Sequence, residues 1–347
     1  MKLLFVGGTG LISTACAQAA LAAGHELWLL NRGRTAPPLD LAGAGTITAD
    51  AQDPASIRAA LAGPHAVDTF DAVVQWIGFS PDHVADDVET FAGAGQYVYI
   101  SSASAYQKPP AHYLVREGST PLDNPYWQYS RDKIASERIL ADAHEGGFPA
   151  TIVRPSFTYG LTQIPIPINS WTKPFTIVAR MRRGAPVLIP GDGTSLWVNT
   201  HNSDFAAGLL GLLGNPAALG RAVHITSDEV LTWNQFHDQL AAAAGVDLSG
   251  QVLHVPSDGL VAADPDLLGG LWGDKSHSVV FDNALLKELV PGFEARVSFA
   301  EGIRRTVEWF DADPARQLVD DAAERQWDAV AAIYRRALDE AAALAAG

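Results

Sequence analysis

Short apolar runs alternate with helix-like stretches through the first 154 residues of the chain. The apolar runs predict strands at residues 2–6, 26–30, 46–48, 72–74, 97–101 and 150–154. Gly24 can end the first helix, while Asp53-Pro54 and Ser80-Pro81 each offer a cap followed by proline at the first helical position. Such alternation is typical of a parallel sheet with helices on both faces. We therefore predict an α/β fold with a doubly wound parallel sheet in residues 1–160.

The pattern becomes irregular after Pro155. Residues 163–171 combine prolines with apolar and aromatic side chains, which predicts a rigid loop folded over a pocket. Helical periodicity returns at residues 174–183, 203–213, 232–244, 298–310 and 314–345, with short strands at 222–225 and 279–282. These elements predict a smaller C-terminal α+β lobe, residues 161–347, that is mainly substrate-binding and returns some segments to the first domain.

Composition and charge narrow the class of protein. The chain has 347 residues, of which 48% are hydrophobic and 18% charged, which suits a packed globular protein. A formal net charge of −15 disfavours nucleic-acid binding, and we interpret the short basic stretch around Arg182 as a cationic helix end. The single cysteine, Cys16, fits a reducing compartment. We find no signal peptide or membrane-spanning run, so we expect a cytoplasmic protein without a membrane partner.

A glycine-rich segment, Gly7-Gly8-Thr9-Gly10-Leu11-Ile12-Ser13, joins the first predicted strand to the first helix. Small residues at this position let backbone amides and the helix dipole face a pyrophosphate. The alternative is a tight strand-to-helix turn without a ligand. The position favours a Rossmann-like dinucleotide site, and the candidate contacts are Gly7, Thr9, Gly10, Leu11 and Ile12.

The end of the second predicted strand indicates which dinucleotide is preferred. NAD-selective proteins commonly place an acid here for the ribose hydroxyls, but this chain has Asn31-Arg32-Gly33-Arg34. Arg32 and Arg34 can pair with a 2′-phosphate, which predicts NADP, with NAD as the alternative. Asp50, after the third strand, is a candidate contact to the adenine amino group or a turn residue.

Three side chains have the chemistry of proton transfer. Ser102 follows the fifth predicted strand, and Tyr129 and Lys133 lie four residues apart on a later helix, hence on one face. An ammonium beside a phenol should lower the pKa of that phenol toward the working range, while a serine hydroxyl holds the substrate oxygen. Together they predict proton exchange with a hydroxyl or carbonyl while a nicotinamide exchanges hydride.

Four segments together resemble the extended short-chain dehydrogenase/reductases, also called the NAD-dependent epimerase/dehydratase family. They are Gly7-Gly8-Thr9-Gly10, Ser101-Ser102-Ala103-Ser104-Ala105-Tyr106, Tyr129-Ser130-Arg131-Asp132-Lys133 and Val153-Arg154-Pro155-Ser156-Phe157-Thr158-Tyr159-Gly160. The resemblance implies that Tyr129 is the general acid/base, that Ser102 orients the substrate oxygen and that Lys133 also binds the nicotinamide ribose. It further implies that Pro155 and Ser156 contact the nicotinamide.

The resemblance also bears on the reaction. Sugar-nucleotide dehydratases of this family place an Asp-Glu pair after the catalytic hydroxyl, where this chain has Ala103-Ser104. Elimination is therefore disfavoured. Epimerisation or reduction of a nucleotide sugar or a related small molecule is expected, with simple carbonyl reduction as an alternative. Candidate substrate contacts are Phe79, Tyr106, Tyr159, Asn169, Trp171, Trp197 and His201. The alternative for the aromatic residues is packing in the core or in a lid, and the alternative for His201 is a hydrogen-bonded loop residue.

The alternative to an enzyme is a non-catalytic protein on the same scaffold. The phrases Asn31-Arg32-Gly33 and Ile77-Gly78-Phe79 look closest to an atypical branch of the family. That branch contains bacterial enzymes of uncertain substrate and chloroplast stem-loop RNA-binding proteins. A non-catalytic RNA-binding or regulatory protein on this scaffold is the alternative, which the acidic charge and the retained Tyr129 and Lys133 oppose. The sequence predicts no metal site, and a homodimer is possible.

Overall fold

The computed structural model describes residues 1–34 and 41–346, with side chains as far as residue 344. Its strands, in chain order, are β1 (Lys2–Val6), β2 (Glu26–Asn31), β3 (Gly45–Thr48), β4 (Ala72–Gln75), β5 (Tyr97–Ile100), β6 (Leu114–Val115), β7 (Ala150–Pro155), β8 (Phe157–Tyr159), β9 (Val187–Pro190), β10 (Leu196–Trp197), β11 (Asn199–His201), β12 (Ala222–Ile225), β13 (Leu231–Thr232), β14 (Val252–Val255) and β15 (Val280–Phe281).

The α-helices of the described residues are α1 (Leu11–Ala22), α2 (Pro54–Ala60), α3 (Pro81–Thr90), α4 (Gln128–Glu145), α5 (Thr176–Arg182), α6 (Asn202–Leu212), α7 (Trp233–Ala244), α8 (Ser257–Ala263), α9 (Leu267–Gly270), α10 (Ala284–Leu289), α11 (Phe299–Asp311) and α12 (Asp321–Ala346). Short 3₁₀ turns occupy Gly63–His65, Val67–Thr69, Ala103–Ala105, Pro216–Ala218 and Pro314–Arg316, and one π-helical turn covers Leu271–Lys275.

A seven-stranded parallel sheet forms the centre, in the order β12-β7-β5-β4-β1-β2-β3. Strands β1, β4, β5 and β7 are apolar runs because helices cover both faces of the sheet. This Rossmann-like arrangement confirms the predicted fold class. The carboxyl ends of β1, β5 and β7 lie at one edge, which brings the glycine-rich segment, Ser102 and Pro155 to the same side.

Part of the second half of the chain lies on this sheet. β12 pairs with β7, with His224 in register with Arg154, and α6 packs against α1. The remaining elements build an α+β lobe with two-stranded pairs β8-β11, β9-β14, β10-β13 and β6-β15. The sequence analysis missed β8, β9 and β14, as well as the shorter β6, β10, β11 and β13.

The helix predicted over residues 314–345 is wrong at its start. Residues 314–316 form a separate 3₁₀ turn, capped by Asp313, and α12 begins only at Asp321. One further cap fixes this break, since Asp320 Oδ1 accepts hydrogen bonds from the amides of Ala322 and Ala323. An acid at each helix start satisfies the free amides, which periodicity alone does not reveal.

The basic stretch lies at the carboxyl end of α5. Arg180 is buried and contacts Glu324 and Asp328, Arg182 pairs with Asp311, and Arg183 also contacts Glu324. These carboxylates neutralise the guanidinium groups, so the stretch ties α5 to α11 and α12. Within the described residues, none of the helices combines the length and apolar character needed to cross a bilayer.

Candidate active site

The glycine-rich segment has the shape of a phosphate cradle. Gly7 and Gly8 adopt φ of +99° and +94°, and a Cβ on Gly8 would lie 2.8 Å from Leu29 Cδ2, so larger residues are disfavoured at both positions. α1 begins at Leu11 without an acidic residue in its first turn, so the positive end of its dipole is not neutralised. These features fit the pyrophosphate of a dinucleotide.

Ser13 replaces the third glycine of the usual pattern without opening the loop. Its hydroxyl accepts a hydrogen bond from the Gly10 amide at 2.9 Å and lies 3.3 Å from the Gly10 carbonyl oxygen. Asn202 Nδ2 donates to the carbonyl oxygen of Leu11 at 3.0 Å, which ties α6 to the start of α1. Ser13 itself is buried, so the small side chain allows the close packing that glycine would give.

A cavity of about 270 Å³ continues from this cradle. It is lined by Gly7, Thr9, Asn31, Arg32, Gly33, Arg34, Asp50, Ala51, Gln52, Ile77 and Phe79. Asn31 Oδ1 accepts a hydrogen bond from the Gly33 amide, which turns the chain after β2 and leaves Arg32 and Arg34 exposed. Asp50 Oδ1 likewise accepts from the Gln52 amide at 3.1 Å. The structure thus brings the predicted adenosine-side residues together, and it places Phe79 among them.

Ser102 lies just beyond β5, where a chain of hydroxyl groups holds it. Its Oγ is 2.9 Å from Ser104 Oγ, which in turn accepts a hydrogen bond from Ser130 Oγ at 2.7 Å. Asn124 Nδ2 donates to the carbonyl oxygen of Ser104 at 2.8 Å. These contacts fix the orientation of the 3₁₀ turn that follows Ser102.

Tyr129 and Lys133 project from the first turns of α4, and Ser102 is their neighbour across the sheet edge. Lys133 Nζ donates to the carbonyl oxygens of Gly78 and Ile100, at 2.9 and 2.8 Å. The same nitrogen is 5.7 Å from the centroid of the Tyr129 ring. Lys133 therefore links the ends of β4 and β5 to the helix that carries the phenol.

The pKa of Tyr129 is shifted in the direction opposite to the one that the sequence predicted. Burial raises the pKa of Tyr129; a hydrogen bond with Ser102 opposes the shift and the negative charge of Asp274 adds to it. Burial also lowers the pKa of Lys133 to about 7, against the attraction of Glu137. The predicted lowering of the Tyr129 pKa is therefore wrong for the ligand-free protein, because burial of the phenol outweighs a lysine that is itself held at two carbonyl oxygens.

A cavity of about 580 Å³ opens in front of these residues. Ser102, Ser104 and Tyr129 form one wall, and Ile12, Pro155 and Ser156 adjoin it on the side of the glycine-rich segment. The lobe supplies much of the remaining lining, mostly with apolar side chains: Phe157, Ile166, Pro167, Trp171, Trp197 and Leu267. Trp127, whose ring packs against Tyr129, also lines the cavity. Of the predicted proton-transfer and nicotinamide-side residues, Ser102, Tyr129, Pro155 and Ser156 thus meet at a single cavity, while Lys133 is buried beside it.

The predicted substrate contacts separate into two groups. Asn169, Trp171 and Trp197 line the large cavity, as expected for residues in the proline-rich loop and after β9. Tyr106, Tyr159 and His201 are instead buried and do not line it, and Phe79 lies at the smaller cavity beside the glycine-rich segment.

Each of the displaced residues has a packing role. Tyr106 Oη accepts a hydrogen bond from Arg154 Nη1 at 3.0 Å and is 3.1 Å from His224 Nδ1. Tyr159 packs against Phe299 and His201. His201 caps α6 by accepting a hydrogen bond from the Ser203 amide, and burial lowers its pKa to about 4. Core packing and helix capping account for these three residues.

Sequence reasoning missed a charged group at the same cavity. Asp274 and Lys275, in the π-helical turn, line it, and Lys275 Nζ lies 2.8 Å from Asp274 Oδ2. Lys108 Nζ is 3.9 Å from Asp274 Oδ1, and burial lowers its pKa to about 8. These positions follow no predicted strand or motif, so the sequence carries no signal that would have found them. Among the described residues, no cluster of three or more His, Cys, Asp or Glu residues could hold a metal ion.

The sequence model of the NAD dependent epimerase/dehydratase family matches residues 3–225. The chain belongs to that family, which confirms the resemblance drawn from its motifs and makes it a member of a class of NAD-dependent oxidoreductases, epimerases and dehydratases.

Among curated relatives, the chain is similar to 2'-dehydrokanamycin reductase of Streptomyces kanamyceticus, with 25% identity over 85% of this chain and 81% of the relative. It is 29% identical to 2-alkyl-3-oxoalkanoate reductase of Stenotrophomonas maltophilia, over 71% of this chain and 76% of the relative. A chloroplast stem-loop binding protein of 41 kDa from Arabidopsis thaliana is 23% identical over 70% of this chain and 63% of the relative.

Solved structures share the fold. A dTDP-glucose 4,6-dehydratase of Bacillus anthracis in complex with NAD superposes with a TM-score of 0.71 at 16% identity, covering 91% of this chain and 98% of that one. At this identity the likeness establishes the fold alone.

Proposed function

We propose that this chain catalyses the NAD(P)-dependent interconversion of a carbonyl and a hydroxyl group on a small molecule. The observation that carries the proposal is the convergence of Ser102 and Tyr129 on the wall of one cavity, next to Ile12 of the glycine-rich segment. Lys133 is buried beside this wall, with its Nζ 5.7 Å from the centroid of the Tyr129 ring. A bound dinucleotide would lie along Gly7, Thr9 and Gly10 and supply or accept hydride. The residues around the cavity would donate or accept the proton.

The directions of the pKa shifts support a route for the proton. Because burial raises the pKa of Tyr129, its phenol is protonated at neutral pH and suited to donate to a carbonyl oxygen during reduction. Ser102, whose hydroxyl opposes the rise in the Tyr129 pKa, lines the same cavity and orients the same oxygen. Lys133 stabilises negative charge that develops on the phenol as the proton leaves.

The cavity supports a reductase of small carbonyl compounds more than an epimerase of nucleotide sugars. Lys275 is the one lysine or arginine lining it within the described part of the chain, and most of the wall is apolar. The diphosphate of a nucleotide sugar carries at least two negative charges, which arginine-rich surfaces usually bind. The two reductases among the relatives support the same choice.

We propose NADP(H) as the preferred dinucleotide and a small molecule, not RNA, as the partner. Arg32 and Arg34 line the adenosine-side cavity, and neither residue at positions 31 and 33 is acidic. A 2′-phosphate would be attracted to these guanidinium groups, whereas an aspartate there would repel it.

The test is a screen of the purified protein with NADPH and NADH against carbonyl compounds and nucleotide sugars. Dinucleotide absorbance and product stereochemistry are both recorded. A reductase consumes NADPH in equal amount to the alcohol formed, and Tyr129→Phe should abolish that consumption. An epimerase inverts a centre with no net change in absorbance. Salt-dependent retention of RNA together with a failure to bind either dinucleotide would overturn the proposal.

A further inference from the structure

Residues 76–79, here termed the β4 segment, follow strand β4 and form part of two sites. Ile77 and Phe79 line the adenosine-side cavity beside the glycine-rich segment. The carbonyl oxygen of Gly78 accepts a hydrogen bond from Lys133 Nζ at 2.9 Å. A displacement of the β4 segment would therefore change both the dinucleotide cavity and the position of the lysine beside the phenol.

One buried side chain, Gln75, holds the β4 segment. Its Oε1 accepts a hydrogen bond from the Ile77 amide at 2.9 Å, and its Nε2 donates to Asp87 Oδ2 at 2.7 Å. Nε2 also lies 3.3 Å from His83 Nε2, a ring that burial keeps neutral by lowering its pKa. A Cβ on Gly78 would lie 3.1 Å from Gln75 Cγ, so the segment packs directly on this side chain.

Asp87 determines which way round the Gln75 amide is held. A rotation of the amide by half a turn would place Oε1 against the Asp87 carboxylate and an N–H group against the Ile77 amide, which pairs two acceptors and two donors. Tyr97 Oη donates to the same Asp87 oxygen at 2.7 Å, so the acid is itself fixed. Burial raises the pKa of Asp87 to about 7, and in either charge state Oδ2 can accept both hydrogen bonds.

We propose that Asp87 and Gln75 are positioning residues of the dinucleotide site, which hold the β4 segment in the conformation that receives the adenosine part and anchors Lys133. The inference rests on the proposed function, because that function assigns the cavity to a dinucleotide. A segment that is already ordered loses less conformational entropy when the ligand binds, so binding is tighter. Among the described residues, neither Asp87 nor Gln75 lines either cavity, so both act through Ile77 and Gly78.

Dinucleotide titration of matched variants tests the positioning role. Gln75→Leu and Asp87→Leu remove the hydrogen bonds while keeping side chains of similar size. Both should weaken the calorimetrically measured binding of NADP⁺ and NAD⁺ about fivefold or more. Asp87→Asn retains an acceptor oxygen for Gln75 and Tyr97, so it should restore the parental affinity.

Gln96→Leu is the matched control. Gln96 is also a buried glutamine, whose Oε1 accepts from the Gly214 amide at 2.7 Å and whose Nε2 donates to Thr151 Oγ1 at 2.9 Å. It precedes β5, so it lies at the edge of the sheet opposite to the dinucleotide cavity. Its replacement should lower stability by the same mechanism, as urea unfolding measures, and leave dinucleotide affinity unchanged.

Amide hydrogen exchange tests the same contact without a dinucleotide. The Ile77 amide should exchange about fivefold or more faster in Gln75→Leu and Asp87→Leu than in the parent, because it loses a fixed acceptor. The Trp76 amide, which donates to the Val6 carbonyl oxygen at 3.1 Å, is the internal reference and should keep its parental rate. Site-resolved NMR measures both amides.

The outcomes separate this inference from the proposed function. Parental dinucleotide affinity in both leucine variants, an Asp87→Asn protein as impaired as Asp87→Leu, or an equal loss of affinity in Gln96→Leu would overturn the positioning role. If Asp87→Leu does not fold, the comparison of Gln75→Leu with Gln96→Leu decides. Faster Ile77 exchange in Gln75→Leu, in a protein that binds neither dinucleotide, would support the hold on the β4 segment and overturn the proposed function.

Discussion

Lys133 Nζ lies 5.7 Å from the ring centroid of Tyr129, one helical turn further along α4. Its hydrogen bonds, however, go to the carbonyl oxygens of Gly78 and Ile100, so in the ligand-free protein it connects two strand ends. Burial lowers its pKa to about 7, and the phenol keeps a raised pKa. The phenol of Tyr129 is therefore protonated at neutral pH, as its proposed role of proton donor requires.

Replacing Tyr129 with phenylalanine should separate chemistry from binding. Tyr129→Phe removes the transferable proton while keeping the ring that packs against Trp127. We expect turnover of a confirmed substrate to fall by about a hundredfold or more, with dinucleotide affinity nearly unchanged. Steady-state kinetics and calorimetric dinucleotide titration check the two effects. A Phe variant with parental turnover would remove Tyr129 from the reaction.

Replacing Lys133 should weaken dinucleotide binding and lower turnover. Lys133→Met loses the hydrogen bonds to Gly78 and Ile100 as well as the charge near Tyr129, so we expect lower dinucleotide affinity and lower turnover. Arginine at this position should restore little, because a planar guanidinium cannot reproduce the contacts of a buried ammonium. Dinucleotide titration and kinetics of both variants provide the measurement. Unchanged affinity in Lys133→Met would limit the lysine to the proton step.

The sequence was sufficient to predict the central sheet and the side of the cavity that Ser102 and Tyr129 form. Fully buried strands such as β1 and β5 are continuous apolar runs, and the residues that follow them are the glycine-rich segment and Ser102, so order along the chain predicts their proximity. A four-residue spacing likewise places Tyr129 and Lys133 on one face. These inferences depend on local periodicity and on parallel topology, both of which leave a clear signal.

The side of the cavity that Asp274 and Lys275 form could not be predicted, because long-range contacts of the folded chain place these residues there. Asp274 and Lys275 reach the cavity through a π-helical turn that packs Gly273 against Asn124 and Trp127, a contact across 149 residues in the case of the Asn124 hydrogen bond to the Gly273 carbonyl oxygen. Tyr106 looked like a pocket residue because it follows the strand end. Its burial with Arg154 depends on a network that only the folded chain assembles.

That network gives a stability prediction. Glu137 accepts hydrogen bonds from Arg154 Nε and Nη2, and Ser101 Oγ donates to it at 2.5 Å, with all three side chains buried. Glu137→Ala leaves an unpaired buried guanidinium and should lower the free energy of unfolding by roughly 3–5 kcal/mol. Urea unfolding measures the loss. Glu301→Ala, which breaks an exposed pair with Arg304, is the control and should change stability little.

A buried histidine should make stability depend on pH. His237 is buried in α7, its Nδ1 donates to the Trp233 carbonyl oxygen, and burial lowers its pKa from 6.5 to about 4. Between pH 6.5 and 4 the unfolded chain binds the proton and the folded chain does not, so stability is lost as pH falls. One such group contributes a slope of about 1.4 kcal/mol per pH unit in this window.

His237→Gln removes this titration and should reduce the slope by about one bound proton. Denaturant unfolding between pH 4.5 and 6.5 compares the two proteins, since glutamine can still donate to the Trp233 carbonyl oxygen. His112→Gln, at an exposed histidine in another segment of the chain, is the matched control. An identical slope in His237→Gln and the parent would show that His237 is protonated in both states or in neither.

The choice of dinucleotide should depend on Arg32 and Arg34. Both are exposed at the adenosine-side cavity, where Asn31 takes the place of an acid and turns the chain by accepting from the Gly33 amide. A 2′-phosphate would make charge-assisted contacts worth about 1.5–3 kcal/mol each in favourable geometry, less when exposed, which still allows a preference of about tenfold for NADP(H).

The double variant Arg32→Ala with Arg34→Ala should remove most of that preference. NAD(H) affinity should change little, because the cradle at Gly7 and Gly8 binds the pyrophosphate common to both dinucleotides. Calorimetric titration of NADP⁺ and NAD⁺ into the parent and the variant measures the affinity for each dinucleotide. Raising the salt concentration should weaken NADP⁺ binding more than NAD⁺ binding, because only NADP⁺ has the exposed contacts of the 2′-phosphate. Arg296→Ala, an exposed arginine paired with Glu294, is the control for lost positive charge. Equal affinities in the parent, or a preference that survives the double variant, would show that these arginines form a solvated turn and that selectivity lies elsewhere.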